Sequence, residues 1–170
     1  MEFELDYPGA VAAFKGEACF TLAYSRDRML HCVAQLSQDD LWWRPQPGMN
    51  AVGNVVLHVC GNLRQWVVTG CDPAGQREDD RQRDAEFSAT GGHTGEQLTG
   101  LLNRTVEEAQ ATIRAMNKDD LLRPRFIQIA EVTGMGAVWH SVAHLEGHAQ
   151  EAIYATRLRL GDRYRFKDQY

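Results

Sequence analysis

The sequence predicts an all-α protein, an up-down-type four-helix bundle built as one domain over residues 1–170. Three observations predict it. Apolar residues recur at threes and fours in four separate stretches. One connection, residues 71–93, is long and irregular. No stretch alternates over the length of a sheet strand, which leaves helix-on-helix packing as the way to bury the apolar stripes. A chain of 170 residues with 44% apolar and 24% charged residues is long enough for one sizeable core and ordinary for a globular protein.

The first helix is expected over 10–36, from Val11, Phe14, Ala18, Leu22, Met29, Leu30 and Val33. Ser37-Gln38-Asp39-Asp40 resembles a capping-box start, followed by a short turn carrying Leu41, Trp42 and Trp43. Pro45, Pro47 and Gly48 break the chain, and Asn50 is the expected N-cap of a second helix over 51–69, ended by Gly70. Within residues 71–93, the mixed-charge run Arg77 to Asp84 reads as a solvated loop. Thr94 and Gln97 form a capping box for a third helix over 95–116, with Leu98, Leu101, Leu102, Val106, Ala109, Ile113 and Met116 as its apolar stripe. Asp119, Asp120 and Pro124 mark a turn. Phe126 to Val132 is short, apolar and β-branched, a loop or brief strand before a fourth helix over 135–160 that stops at Gly161.

Composition excludes several function classes. The net charge is −5 with basic and acidic residues interspersed, so neither nucleic acid nor an anionic membrane is the expected partner. No apolar run approaches the roughly 20 residues of a membrane span. The first six residues are acidic, without the apolar core of a signal peptide. Cys19, Cys32, Cys60 and Cys71 have no C-x-x-C spacing and read as reduced thiols. A cytoplasmic protein with a small-molecule substrate is expected.

The chemistry-bearing pattern is histidine. His140, His144 and His148 are spaced at four residues on the fourth helix. At about 100° per residue, and with His140 as origin, His144 and His148 fall near about 40° and 80°, and Glu151 near about 20°. Glu146, Gln150 and Arg157 cluster elsewhere and read as the solvent side. Imidazoles at i and i+4 can close on one metal ion. On the second helix, His58 sits at the edge of an apolar arc beside the uncharged polar residues Asn54, Asn62 and Gln65. Together these elements suit a three-nitrogen site with open positions, the pattern of a catalytic rather than a structural metal.

Two segments, Asn50-Ala51-Val52-Gly53-Asn54-Val55-Val56-Leu57-His58-Val59-Cys60-Gly61-Asn62-Leu63-Arg64-Gln65-Trp66 and Ala143-His144-Leu145-Glu146-Gly147-His148-Ala149-Gln150-Glu151, resemble the DinB/YfiT-like superfamily of metal-dependent enzymes. So does the turn Trp43-Arg44-Pro45. The resemblance implies a four-helix bundle in which His58, His144 and His148 bind one divalent metal, zinc or nickel foremost. It also implies a low-molecular-weight thiol as a co-substrate in some members, and a homodimer. Members often carry His-x-Gly-Gln at the last ligand, where this chain has His148-Ala149-Gln150-Glu151.

Glu151 is the candidate catalytic carboxylate, as a general base or as the partner that orients a ligand. His140 reads as a cleft-lining residue or proton shuttle, Asn62 as a pocket or hydrogen-bonding residue, and His31 and His93 as incidental. The leading function is a hydrolase or thiol-dependent transferase that uses a divalent metal. The alternatives are a non-catalytic metal or small-ligand binding bundle of the stress-response type, and a purely structural bundle whose histidines line a cavity.

Overall fold

The computed structural model describes residues 7–72, 74–75 and 79–167. The N-terminal six residues, Arg77 and Glu78 lie outside the described residues. Four long helices form the bundle: α1 (Ala10–Val33), α3 (Val52–Leu63, continued as a π-helical turn Arg64–Thr69), α5 (Gly95–Ala115) and α7 (Gly134–Leu160). Shorter elements sit between them: α2 (Gln38–Leu41), α4 (Arg83–Ser88), α6 (Lys118–Leu122), and a hairpin of β1 (Pro124–Ile127) and β2 (Ala130–Thr133). The strands pair antiparallel, Pro124 opposite Thr133 and Ile127 opposite Ala130. Among the described residues this hairpin is the whole of the β structure, so the all-α expectation holds.

The apolar stripes meet as their periodicity requires. Leu22 and Met29 of α1, Val55, Val56 and Val59 of α3, Leu98, Leu102 and Val106 of α5, and Val138, Leu145 and Ala149 of α7 are all almost fully buried in one cluster. Helix α1 packs on α5 and α7, and α3 packs on the same two. The pairs α1/α3 and α5/α7 therefore lie diagonally across the bundle, whereas the consecutive helices α3 and α5 are neighbours.

Cross-helix bonds give the directions. Lys15 and Cys19 of α1 bond to the backbone carbonyls of Met116 and Gln110, whereas Val33 lies against Gly95, so α5 runs antiparallel to α1. Ser25 pairs with Glu146, and His31 near the end of α1 meets Arg165 just past the end of α7, so α7 runs parallel to α1. His58 meets His144 and Asn62 meets His140, so α3 runs antiparallel to α7. The order is up-down-down-up. The long connection makes this possible: more than 20 residues, at about 3.3 Å each when extended, comfortably return along a helix that rises about 1.5 Å per residue.

Local signals explain most boundaries. Thr94 Oγ1 accepts from the amide of Gln97 at 3.2 Å, and Gln97 Oε1 accepts from the amide of Thr94 at 2.9 Å, the expected capping box. Thr94→Ala is expected to cost about 1 kcal/mol in urea unfolding; an unchanged midpoint would show that this cap contributes nothing. Ser37 caps α2 through the amide of Asp40. Helix α3 begins one residue later than expected. Asn54 Oδ1 accepts from the Ala51 amide at 3.1 Å and closes the helix start from inside, while the Asn50 side chain turns to Glu151. Glu146 is a second correction: it faces α1, accepting from Ser25 Oγ and from Arg28 at 2.8 Å.

The connection between α3 and α5 departs furthest from expectation. It contains α4, and its mixed-charge run is not solvated throughout. The Arg81 side chain is only 5% exposed. Among the described residues no helix is long and apolar enough to cross a membrane.

Candidate metal centre

Helices α3 and α7 run antiparallel, with His58 of α3 facing the histidine stripe of α7. His58 Nε2 lies 3.1 Å from His144 Nε2. The ring centroids of His58 are 4.9 Å from both His144 and His148, and those two are 4.4 Å apart. One nitrogen from each of the three lies within 4.8 Å of the others. Two nitrogens sharing a tetrahedral metal at roughly 2.0–2.1 Å lie about 3.3 Å apart. The spacing and the imidazole donor set therefore fit a divalent ion, and the three histidines can hold one.

The outer ring nitrogens of His58 and His148 are occupied. His58 Nδ1 is 3.0 Å from Glu86 Oε2 of α4, and His148 Nδ1 is 2.6 Å from Glu151 Oε2 one turn along α7. An ionised carboxylate only accepts, so a proton on each Nδ1 satisfies it and leaves the Nε2 lone pair to the shared space; at His58 the donor Arg81 Nη2 also stands 3.1 Å from Nδ1. Burial pushes the Glu86 carboxyl upward, but hydrogen bonds and charge from Arg81 and His58 outweigh it and hold the group below the usual carboxylate range. The hydrogen bond from His148 does the same for Glu151, against a smaller effect of burial.

His144 is strongly perturbed. Burial first, then the neighbouring His148, His58 and His140, bring its pKa down to about 3. The unfolded chain takes up this proton near the ordinary value of 6.5. Between these values the unfolded state binds more protons, so stability is full above about 6.5 and falls as pH drops toward 3, by up to about 1.4 kcal/mol per pH unit. Urea unfolding of the metal-free protein at pH 7.5, 6 and 5 is expected to show that loss, with a shallower slope for His144→Gln. Parallel slopes for the two proteins would contradict the depressed value.

The remaining histidines lie outside the triad. His140 stands one turn beyond His144, at 5.6 Å between centroids, stacked at 4.0 Å on Trp66 and 3.4 Å from Asn62 Nδ2. It lines the cleft beside the triad. Asn62 Oδ1 and Trp66 Nε1 are buried there without a hydrogen-bond partner among the described residues. His31 and His93 lie elsewhere: the His31 ring meets the carbonyl of Arg165, and the His93 carbonyl accepts from Gln38 and Trp42. All four cysteines are free and buried. Burial raises the Cys60 thiol to about 12 and the Cys71 thiol to about 11, so neither supplies a thiolate near neutral pH.

Sequence reasoning missed Glu86 and Arg81. Arg81 clamps Glu86 through Nε to Oε1 and Nη2 to Oε2, both 2.8 Å, and its Nη1 donates to Gln65 Oε1 at 2.9 Å. Spacing could not reveal a carboxylate 28 residues from its histidine. One trace was present: Gly61, a glycine inside a helix, one turn from His58.

A family model described as "Protein of unknown function (DUF1572)" matches residues 12–166. No curated protein matches the sequence. Among solved structures, the chain is similar to a conserved protein from Enterococcus faecalis, with a TM-score of 0.66 at 17% identity, over 85% of this chain and 96% of that one. It is similar to a DinB-like protein from Bacillus subtilis, with a TM-score of 0.59 at 16% identity, over 84% and 91%. A mycothiol-dependent maleylpyruvate isomerase gives a TM-score of 0.65 at 12% identity, over 81% of this chain and 60% of the isomerase. At these identities the likeness is one of fold, and the fold is the DinB-like one that the sequence resembles.

Proposed function

The chain belongs to the DUF1572 family and has a DinB-like fold, and from that premise we propose that it is a metal-dependent enzyme acting on a small molecule, as a hydrolase or a thiol-dependent transferase. The observation that carries this reading is the convergence of three imidazoles, two of which, His58 and His148, have their outer nitrogens engaged by carboxylates. That arrangement leaves lone pairs aimed at one point and no protein side chain needed as nucleophile.

His58, His144 and His148 hold the ion; three imidazoles suit zinc, nickel, iron or copper, and the DinB/YfiT-like resemblance favours zinc or nickel. Such an ion supplies Lewis acidity, lowering the pKa of a water or thiol that meets it. The chain supplies orientation. Glu151 keeps the His148 ring turned with Nε2 inward and, as a carboxylate beside the site, is the candidate to accept a proton from the attacking group. His140 and Trp66 wall one side of the cleft, and Phe87, 4.6 Å from the His58 ring, walls another. The thiol branch is supported by the mycothiol dependence of the structurally similar isomerase. A cytoplasmic homodimer completes the proposal.

The test is turnover. Metal-loaded protein is assayed against aryl esters, and against electrophiles offered with low-molecular-weight thiols, beside chelator-treated protein. Metal-dependent turnover in either panel is expected, with Glu151→Gln lowering kcat by about 10²- to 10⁴-fold if the carboxylate moves the proton. Full metal loading with no turnover in either panel would favour the non-catalytic binding bundle.

A further inference from the structure

Helix α4 is only six residues long, yet its Glu86 is buried against the back of a histidine on another helix. Several independent contacts hold it there. Arg81 grips both carboxylate oxygens. Asn54, inside α3, donates to the carbonyls of Glu86 and Ala89 at 2.9 and 2.8 Å. Arg44, from the turn before α3, donates to the carbonyls of Phe87 and Ala89 at 2.8 and 3.0 Å.

The fit against α3 depends on a missing side chain. A Cβ built at Gly61 would stand 1.9 Å from Glu86 Oε1 and 2.9 Å from Arg81 Nε. Glycine is among the least favourable residues in a helix interior, and here its absent side chain is the space the carboxylate and guanidinium fill.

We propose that Arg81 and Glu86 are positioning residues of the metal centre, a clamp that fixes the ring and tautomer of His58 so that its Nε2 faces His144 and His148. The inference rests on the three-histidine reading. His144 and His148 share a helix, so their spacing is set by local geometry. His58 comes from a different helix, and its ring can turn about two side-chain torsions. The carboxylate on Nδ1 removes that freedom. Arg81 Nη2 lies 3.1 Å from the same Nδ1 and 2.8 Å from Glu86 Oε2, so it is the proton given by Nδ1 to Glu86 that leaves Arg81 to the carboxylate. The connection between α3 and α5 is then part of the site.

Two measurements test this. In the first, zinc affinity is read by competition with a chromophoric chelator. Glu86→Ala and Gly61→Ala are each expected to weaken binding about 10- to 100-fold, although both keep all three histidines. Glu86→Gln, whose carbonyl still accepts from Nδ1, is expected to lose less than Glu86→Ala. Circular dichroism establishes that each variant is folded.

In the second, the ¹⁵N resonances of the metal-free protein report the His58 tautomer. The Nδ1–H form is expected in wild type, and a shift toward Nε2–H in Glu86→Ala. Variants that bind zinc within twofold of wild type, or a His58 tautomer unaltered by Glu86→Ala, would overturn the clamp. Wild type that takes up no zinc would sink the three-histidine reading instead, and the tautomer measurement alone would then decide whether the clamp exists.

Discussion

Zinc or nickel at a hundredfold excess over its dissociation constant is expected to stabilise the wild-type protein by about 2.7 kcal/mol, which for a domain of this size is a rise in Tm of roughly 5–11 °C. The reason is topological. His58 and His144 are 86 residues apart in sequence and 3.1 Å apart in the fold, so only the folded chain presents the set. The apo protein still folds, because the core that joins α1, α3, α5 and α7 contains no ligand atom of the ion. His144→Ala is expected to abolish tight binding and with it the rise, and His58→Ala to do the same. His93→Ala, remote from the triad, leaves the rise intact. Ligation needs unprotonated imidazoles, and burial with neighbouring rings already holds His144 down to about 3, so its proton does not compete near neutrality. Scanning calorimetry or thermal circular dichroism with and without metal reads the effect. A metal-induced rise that survives both histidine substitutions would show that the ion binds elsewhere.

Arg81→Ala is expected to destabilise the metal-free protein by about 3–5 kcal/mol, the cost of leaving a buried carboxylate without its partner. The side chains of Arg81 and Glu86 are 5% and 10% exposed, and the guanidinium provides two of the 2.8 Å bonds that keep Glu86 ionised. Replacing both charges, as Arg81→Met with Glu86→Leu, removes the uncompensated charge. It is expected to recover part of the loss, while leaving the His58 Nδ1–H unpaired at a cost of about 1–3 kcal/mol. Urea unfolding of the two single variants and the double variant gives the coupling directly. A loss below about 1 kcal/mol for Arg81→Ala would mean that the run behaves as a solvated surface pair after all.

The same pair marks the boundary between what was legible and what was not. Local chemistry announces itself in the chain: the capping boxes at Ser37 and Thr94, the stop at Gly161, the apolar stripe of α5 and the histidines at four-residue spacing are each decided by neighbours within one or two turns. Such features are readable because a helix converts short sequence separations into fixed geometry. His144 and His148 are therefore visible as a pair from spacing alone, and the bundle follows from four stripes that have nothing else to pack against.

The direction of α5 follows no local rule. It depends on how far the connection from α3 travels, and the up-down-down-up order emerges only from the contacts of Lys15, Ser25 and His58 with distant partners. Glu86 is the clearest instance. In sequence it sits in a charged stretch with every mark of a surface loop. In the fold it is drawn inward because Gly61 leaves room, Arg81 neutralises it and His58 offers a proton donor. Each of those groups is ordinary by itself, and none is adjacent to the others in the chain. The sequence by itself determined the helices, the core and the spacing of the α7 ligands. Only the tertiary structure decided the path of the chain between helices and the partner of His58, because burying a charge depends on what surrounds it in space, and residues far apart in the chain supply that environment.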